Sequence, residues 1–162
     1  FLADVPGFMV GERVEHELML HWGMRMMHAL QNASTPTLTV CIRKAFGLAW
    51  QAMNGSQMPA LGVYSWPGAE IGFMDPEVGV NVAFGSKLGR IEDVETREAE
   101  REALVREVAE STTPYDAAGT MRIDEMIDPG DTRSVLAHDL EMLANRAVPP
   151  PEARPLSYWP TC

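Results

Sequence analysis

The stretch Cys41-Ile-Arg-Lys-Ala-Phe-Gly-Leu-Ala-Trp-Gln-Ala-Met53 runs from a short apolar segment through two cations into a glycine, and then into residues that suit a helix. It reads as a strand, a turn and a helix start, which places the chain among α/β folds. The first N–H groups of a helix have no partner within it, so such a turn can hold a negatively charging oxygen without any catalytic side chain. On the pattern alone it is an ordinary connection, as most strand-to-helix turns in α/β folds are.

Working outward, residues 37–42 form a β-branched strand that enters the turn, and 50–54 begin a helix that stops at Gly55. Residues 1–5 read as a strand ended by Pro6-Gly7, where proline removes a ladder donor and glycine permits the turn. Over 12–33, Val14, Leu18, Trp22, Met26 and Leu30 recur every four residues beside Met19, Gly23 and Met27, predicting one amphipathic helix. Gly23 costs roughly 1 kcal/mol against Ala in an exposed helix, so its presence points to close packing. Residues 61–64 and 69–74 read as strands around the turn 65–68, and Asp75-Pro76-Glu77 as a capped helix start that continues over 78–84. The run 90–110 has a thin apolar stripe and an i,i+4 pair, Glu102 and Arg106, and predicts a solvated helical arm projecting from the body. Residues 112–115 break the chain, 117–119 turn, and 123–127 are a short apolar stretch. Asp131 or Thr132 then caps a last helix through Asn145, with Val135, Leu136, Leu140 and Leu143 inward. The expected organisation is one domain over 1–148, whose first strands begin upstream in a longer protein, and a proline-rich tail over 149–162.

At 162 residues the chain is the size of one ordinary domain, able to bury roughly 70% of its unfolded surface. A formal charge of −10 argues against a nucleic-acid surface, which needs cations in excess. No run of about 18 apolar residues occurs, and no export signal is legible, so no membrane span is expected. Cys41 and Cys162 lack metal-ligand spacing and read as unpaired thiols of a reducing compartment, the cytoplasm. His16 and His21 are five apart, off the i,i+4 spacing that lets two histidines share an ion on one helix face, so no metal is expected. No G-x-S-x-G elbow and no phosphate loop is present. Trp50, Trp66 and the methionines read as core packing, and Asp124 and Asp128 as caps and turn formers.

Taken together, Asp4-Val-Pro-Gly-Phe-Met-Val-Gly11, Arg43-Lys-Ala-Phe-Gly47 with Ala49, Trp66-Pro67 with Ala69-Glu70, and Pro76-Glu77 with Val80-Asn81 form an ordered set. Pro114-Tyr115 with Ala117-Ala118, Ile123-Asp124, Ile127-Asp128-Pro129 and Thr132-Arg133 continue it. Across most of its length the chain resembles the C-terminal half of the biotin-dependent acyl-CoA carboxyltransferases, the β subunits of enzymes such as propionyl-CoA carboxylase.

The resemblance implies a crotonase-like spiral of ββα units with a projecting charged helix, in a homo- or hetero-oligomer, a dimer or hexamer. One subunit's C-terminal half would face another's N-terminal half. It implies carboxyl transfer from carboxybiotin to the α-carbon of an acyl-CoA, the biotin arriving on a biotin carboxyl carrier protein charged by biotin carboxylase. The ureido nitrogen of biotin takes the α-proton, so no side-chain base is needed. Mapped by the Arg-Lys-x-aromatic-Gly-Gly-Ala pattern, Gly47 forms the turn and the backbone N–H groups of Leu48 and Ala49 are the biotin-side oxyanion donors. Such donors are worth roughly 3–4 kcal/mol each. Gln51 matches a position that influences acyl-chain choice, Phe46 and Trp50 are candidate walls, and Gly7 and Phe8 belong to the substrate-binding set. The location implied is the cytoplasm, or the mitochondrial matrix in a eukaryote. The chain departs from the pattern at Leu48, where the family has its second turn glycine; if that position needs a positive φ, leucine costs about 1–3 kcal/mol. Val78-Gly79 replaces Gly-Ala, Arg25 replaces the helix lysine, and the Lys-His-Gly-Asn near the end is missing. Two alternatives stay open: a noncatalytic scaffold of the same fold, and a crotonase-type acyl-CoA decarboxylase or hydratase.

Overall fold

The computed structural model describes residues 1–56 and 58–144; the stretch 149–162 set apart above as a tail lies outside them. Five strands form one parallel sheet: β1 (Leu2–Val5), β2 (Leu38–Phe46), β3 (Gly62–Ser65), β4 (Glu70–Gly72) and β5 (Glu125–Met126), in the order β1-β2-β3-β5 with β4 also on β2. β2 is the axis. Thr39, Val40 and Cys41 are fully buried, which is why this strand reads as a continuous run rather than an alternation. Its first half pairs with β3, Leu38↔Gly62 through Cys41↔Ser65, and its second half with β4, Lys44↔Glu70 through Phe46↔Gly72. The switch falls where the β1 ladder slips, from Ala3↔Cys41 to Val5↔Ala45, so two residues of β1 advance against four of β2.

The strand therefore continues past Ile42, where the sequence predicts its end, because both following cations are neutralised. Arg43 Nε donates to the Asp4 carboxylate at 3.0 and 3.1 Å, holding the Asp4 carboxyl below its usual range. Lys44 Nζ sits 2.6 Å from Asp75 Oδ2, in a mostly buried pair. Burial pushes the Cys41 thiol up to about 12, so it stays protonated between these ladders.

The predicted helix over 12–33 is two helices, α1 (Glu12–His16) and α2 (Met19–Gln31), broken at Leu18 in the left-handed region with φ 60°. Steps of four residues advance about 400°, so each drifts about 40° round the axis and five residues sweep about 160°. No single face can hold them. Of that stripe only Val14 is buried; Leu18 and Trp22 are each 57% exposed. α2 instead buries Gly23 and Met27. A Cβ at Gly23 would lie 2.6 Å from Phe8 Cζ, so the close packing expected there is an aromatic ring seated on the glycine.

α3 (Gly47–Ala52) begins at the glycine itself, three residues before the expected start. α4 (Pro76–Leu88) is capped as the sequence predicts, Asp75 Oδ1 accepting from Glu77 N at 3.1 Å. α5 (Val94–Ala109) has no buried residue, as the thin stripe implies, but lies along α4 through Lys87–Glu100 at 2.8 Å and Arg101–Glu77 at 3.6 Å. The Glu102–Arg106 pair spans 3.9 Å on its exposed face and contributes at most a few tenths of a kcal/mol. α6 (Pro114–Gly119) stands where the sequence reads a break and a turn, because Thr113 caps it and Pro114 takes its first position.

Met121 follows with φ 54° and 92% exposure, a non-glycine residue in the left-handed region with no packing to hold it there. Replacing Met121 with glycine should raise stability by up to about 1 kcal/mol, since the strain removed exceeds the added freedom of the unfolded chain. Urea unfolding checks this; a lower midpoint would contradict it.

α7 (Thr132–Ala144) follows a 3-10 turn at Pro129–Asp131 that is capped by Asp128, whose Oδ1 accepts from Gly130 N at 2.7 Å. Asp124, expected as a cap or turn former, instead bridges to the sheet, its Oδ2 accepting from Val63 N of β3 at 2.8 Å. Val135 and Leu136 pack on Val40, Tyr64 and Ile127, whereas Leu140, expected inward, is 54% exposed. Two polar contacts take the place of that missing burial. Trp66 Nε1 donates to Thr132 Oγ1 at 2.9 Å and Tyr64 Oη donates to Asp139, while burial and this carboxylate raise the Tyr64 phenol above its ordinary value.

Candidate active site

The end of β2 and the start of α3 meet at Gly47, which has φ +60°. A Cβ there would lie 3.0 Å from the Phe73 carbonyl oxygen, so both the left-handed turn and the close approach of a second backbone require glycine. Leu48 is absent from the positive-φ residues, which are Leu18, Asn54 and Met121 among the non-glycines. The strain considered for leucine at this position therefore does not arise: Gly47 alone takes the unusual conformation, and Leu48 is ordinary helix. The Leu48 and Ala49 N–H groups lie in the first turn of α3, where a helix supplies no acceptor. Among the described residues no acceptor outside the helix takes them either.

Gly47, Leu48, Trp50 and Gln51 line one cleft of about 330 Å³, closed on its far side by Ile71, Gly72 and Phe73 and completed by Ser56 and Arg122. Leu48 is 37% exposed and Phe73 86%, so a leucine and an aromatic ring stand in solvent around it. Trp50 is buried under Gly55, where a Cβ would meet the indole at 2.3 Å. Its Nε1 has no hydrogen-bond partner among the described residues. Among the described lining residues there is no aspartate, glutamate, histidine or cysteine, so the walls offer donors and apolar surface but no side-chain base.

Not every expected site residue gathers here. Ala49 and Phe46 are buried beneath the cleft rather than lining it, the Phe46 ring lying against Gly72 with Lys44 Nζ 5.9 Å from its centroid. Phe8 lines a separate groove of about 400 Å³ with Met9, Val10, Leu18 and Met19, and Gly7 precedes it with φ 141°. Phe73 and Arg122 carry no sequence signal, being brought in by β4 and by the turn before β5. No three His, Cys, Asp or Glu side chains gather as metal ligands among the described residues, and no described helix is long and apolar enough to cross a membrane.

The chain belongs to the family of carboxyl transferase domains, which matches residues 1–155. It is 38% identical over 146 residues to the methylmalonyl-CoA carboxyltransferase 12S subunit of Propionibacterium freudenreichii subsp. shermanii, covering 90% of this chain and 27% of that protein. It is 36% identical over 153 residues to the propionyl-CoA carboxylase carboxyltransferase subunit of Haloferax mediterranei, covering 94% and 29%. The crystal structure of transcarboxylase 12S with methylmalonyl-coenzyme A and methylmalonic acid bound superimposes with a TM-score of 0.76 at 38% identity, over 90% of this chain and 28% of that one. The geranyl-CoA carboxylase β subunit of P. aeruginosa shares the fold, with a TM-score of 0.80 at 24% identity over 93% and 29% of the two chains. The fold is thus the crotonase-like one that the motifs imply, and the chain spans less than a third of the length of these relatives.

Proposed function

We propose that this chain is the C-terminal portion of an acyl-CoA carboxyltransferase that moves a carboxyl group from carboxybiotin to the α-carbon of an acyl-CoA. The observation that carries the reading is the pair of N–H groups at Leu48 and Ala49, which have no acceptor among the described residues, in the first turn of the helix beside a cleft whose described lining holds no side-chain base. These residues suit biotin: Trp50, Ile71 and Phe73 offer apolar walls to an uncharged ring, and the amides offer donors to an oxygen that becomes negative. Biotin, when bound, supplies the carboxyl group and the basic nitrogen. The chain's own part is electrostatic. Leu48 and Ala49 donate to the developing oxyanion, each contributing roughly 3–4 kcal/mol. Gly47 fixes the angle at which those amides leave the strand, and Gln51 with Trp50 shapes the space left for the acyl chain. Gly7 and Phe8 stand at a separate groove, apart from this cleft.

The proposed partners are an N-terminal carboxyltransferase half that holds most of the coenzyme A, a biotin carboxyl carrier protein and biotin carboxylase. A dimeric or hexameric assembly is supported by the hexamer described for transcarboxylase 12S. The proposed location is the cytoplasm, or the mitochondrial matrix in a eukaryote, in keeping with the free buried thiol of Cys41.

The test is reconstitution. The chain alone should transfer no carboxyl group, and addition of the N-terminal half, carboxylated carrier and an acyl-CoA should yield labelled carboxyacyl-CoA. Continued inactivity of the full assembly would overturn the reading. The exposed Leu48 side chain at the cleft favours a second reading, a scaffold that has lost catalysis. Leu48→Gly separates the two: a large gain in activity indicates a degenerate site, and loss of existing activity an adapted one. Decarboxylation or hydration would appear as different products from a panel of CoA thioesters.

A further inference from the structure

Arg122 is the one ionised side chain among the described residues that line the α3 cleft. Its backbone is held by the turn, its N–H donating to Ala117 O at 2.8 Å, and its Nε donates to Thr120 Oγ1 at 3.0 Å. Those two bonds fix the root and the neck of the side chain. The two terminal nitrogens have no hydrogen-bond or ion-pair partner among the described residues. Arg43, Lys44, Lys87 and Arg101 all reach carboxylates, whereas the half-buried Arg122 reaches none among the described residues. The other lining side chains, among them Trp50, Ile71 and Phe73 with the neutral Gln51 and Ser56, carry no negative charge to neutralise it. A planar cation whose fork has no partner among the described residues, in a cleft whose described lining holds no acid, is matched by a carboxylate of the ligand, which it can bind through two parallel hydrogen bonds.

We propose that Arg122 is a specificity residue that binds a carboxylate carried by the acyl group. The inference rests on the reading of this cleft as an acyl-thioester site. The carboxylate has two possible sources with the same chemistry: the carboxyl group on the α-carbon, or one at the far end of a dicarboxylic acyl chain.

The experiment is calorimetric binding to the assembled carboxyltransferase, without biotin, using thioester pairs in which a carboxylate replaces a methyl group. Methylmalonyl-CoA against isobutyryl-CoA tests the α-carboxyl, and glutaryl-CoA against pentanoyl-CoA the terminal one. The acid-bearing member of one pair should bind roughly tenfold more tightly, and the pair that shows it identifies the source. Arg122→Gln should bring that ratio to about one, and Arg122→Lys, which keeps the charge without the fork, should leave an intermediate ratio. A ratio near one in both pairs for the unaltered protein overturns the proposal and leaves the proposed function standing. So does a preference that survives undiminished in Arg122→Gln. Absence of binding by all four thioesters overturns the reading of the cleft itself, and this proposal with it.

Discussion

Replacing Gly47 with valine should reduce carboxyl transfer by the assembled enzyme by about two to three orders of magnitude, the loss seen when an oxyanion donor is removed. Two effects act together. At φ +60° a β-branched residue is strained, which costs on the order of 1–3 kcal/mol. The new Cβ would also stand 3.0 Å from the Phe73 carbonyl, a backbone atom one residue past the end of β4, whose Gly72 is paired with Phe46 of β2, and it cannot swing aside as a side chain would. The chain can relieve both only by rotating the Gly47–Leu48 peptide, and that rotation redirects the Leu48 and Ala49 amides. Turnover should therefore fall much further than the stability loss of a few kcal/mol, measured by urea unfolding, can explain. Wild-type turnover in a folded Gly47→Val protein would show that the amides at this turn do not act on the reaction.

Trp50→Ala should be the most destabilising single truncation at the site, at about 3–5 kcal/mol, because a nearly fully buried ring would leave a cavity over Gly55. The indole Nε1 has no partner among the described residues, so Trp50→Phe gives up no hydrogen bond seen there and should cost much less, about 1–2 kcal/mol. Thermal or urea unfolding of the two variants measures the gap directly. Equal losses would mean that the indole nitrogen makes a bond and that the ring is held by more than packing. The same ring forms part of the cleft wall, so Trp50→Phe should also alter the affinity for longer acyl chains more than for short ones.

Much of this site is local and so legible in order. The apolar run, the glycine and the helix start at 41–53 specify a strand, a glycine turn and the free amides of a helix start through backbone preferences of adjacent residues. Asp75-Pro76 predicts its own cap for the same reason, and Asp128 its turn. The sequence misplaces the end of β2 because Arg43 and Lys44 look like loop cations until their acids are known. Asp4 lies 39 residues away and Asp75 31, and neither distance leaves a pattern. The helix predicted over 12–33 fails on phase: a strict four-residue repeat counts apolar residues without asking whether they stay on one face, and the chain breaks at Leu18 before the drift accumulates.

Alone, then, the sequence determines the family, the α/β class and the position of the turn, since these depend on short-range conformational preference and on ordered motifs. Only the tertiary structure decides that Gly47 rather than Leu48 carries the positive φ, that Phe46 and Ala49 lie beneath the cleft while Gly7 and Phe8 lie at another groove, and that Arg122 stands in its wall. The physical reason is that a cleft is bounded by residues brought together by strand pairing. Phe73 reaches it because β4 pairs with the second half of β2, and Arg122 because β5 pairs with β3.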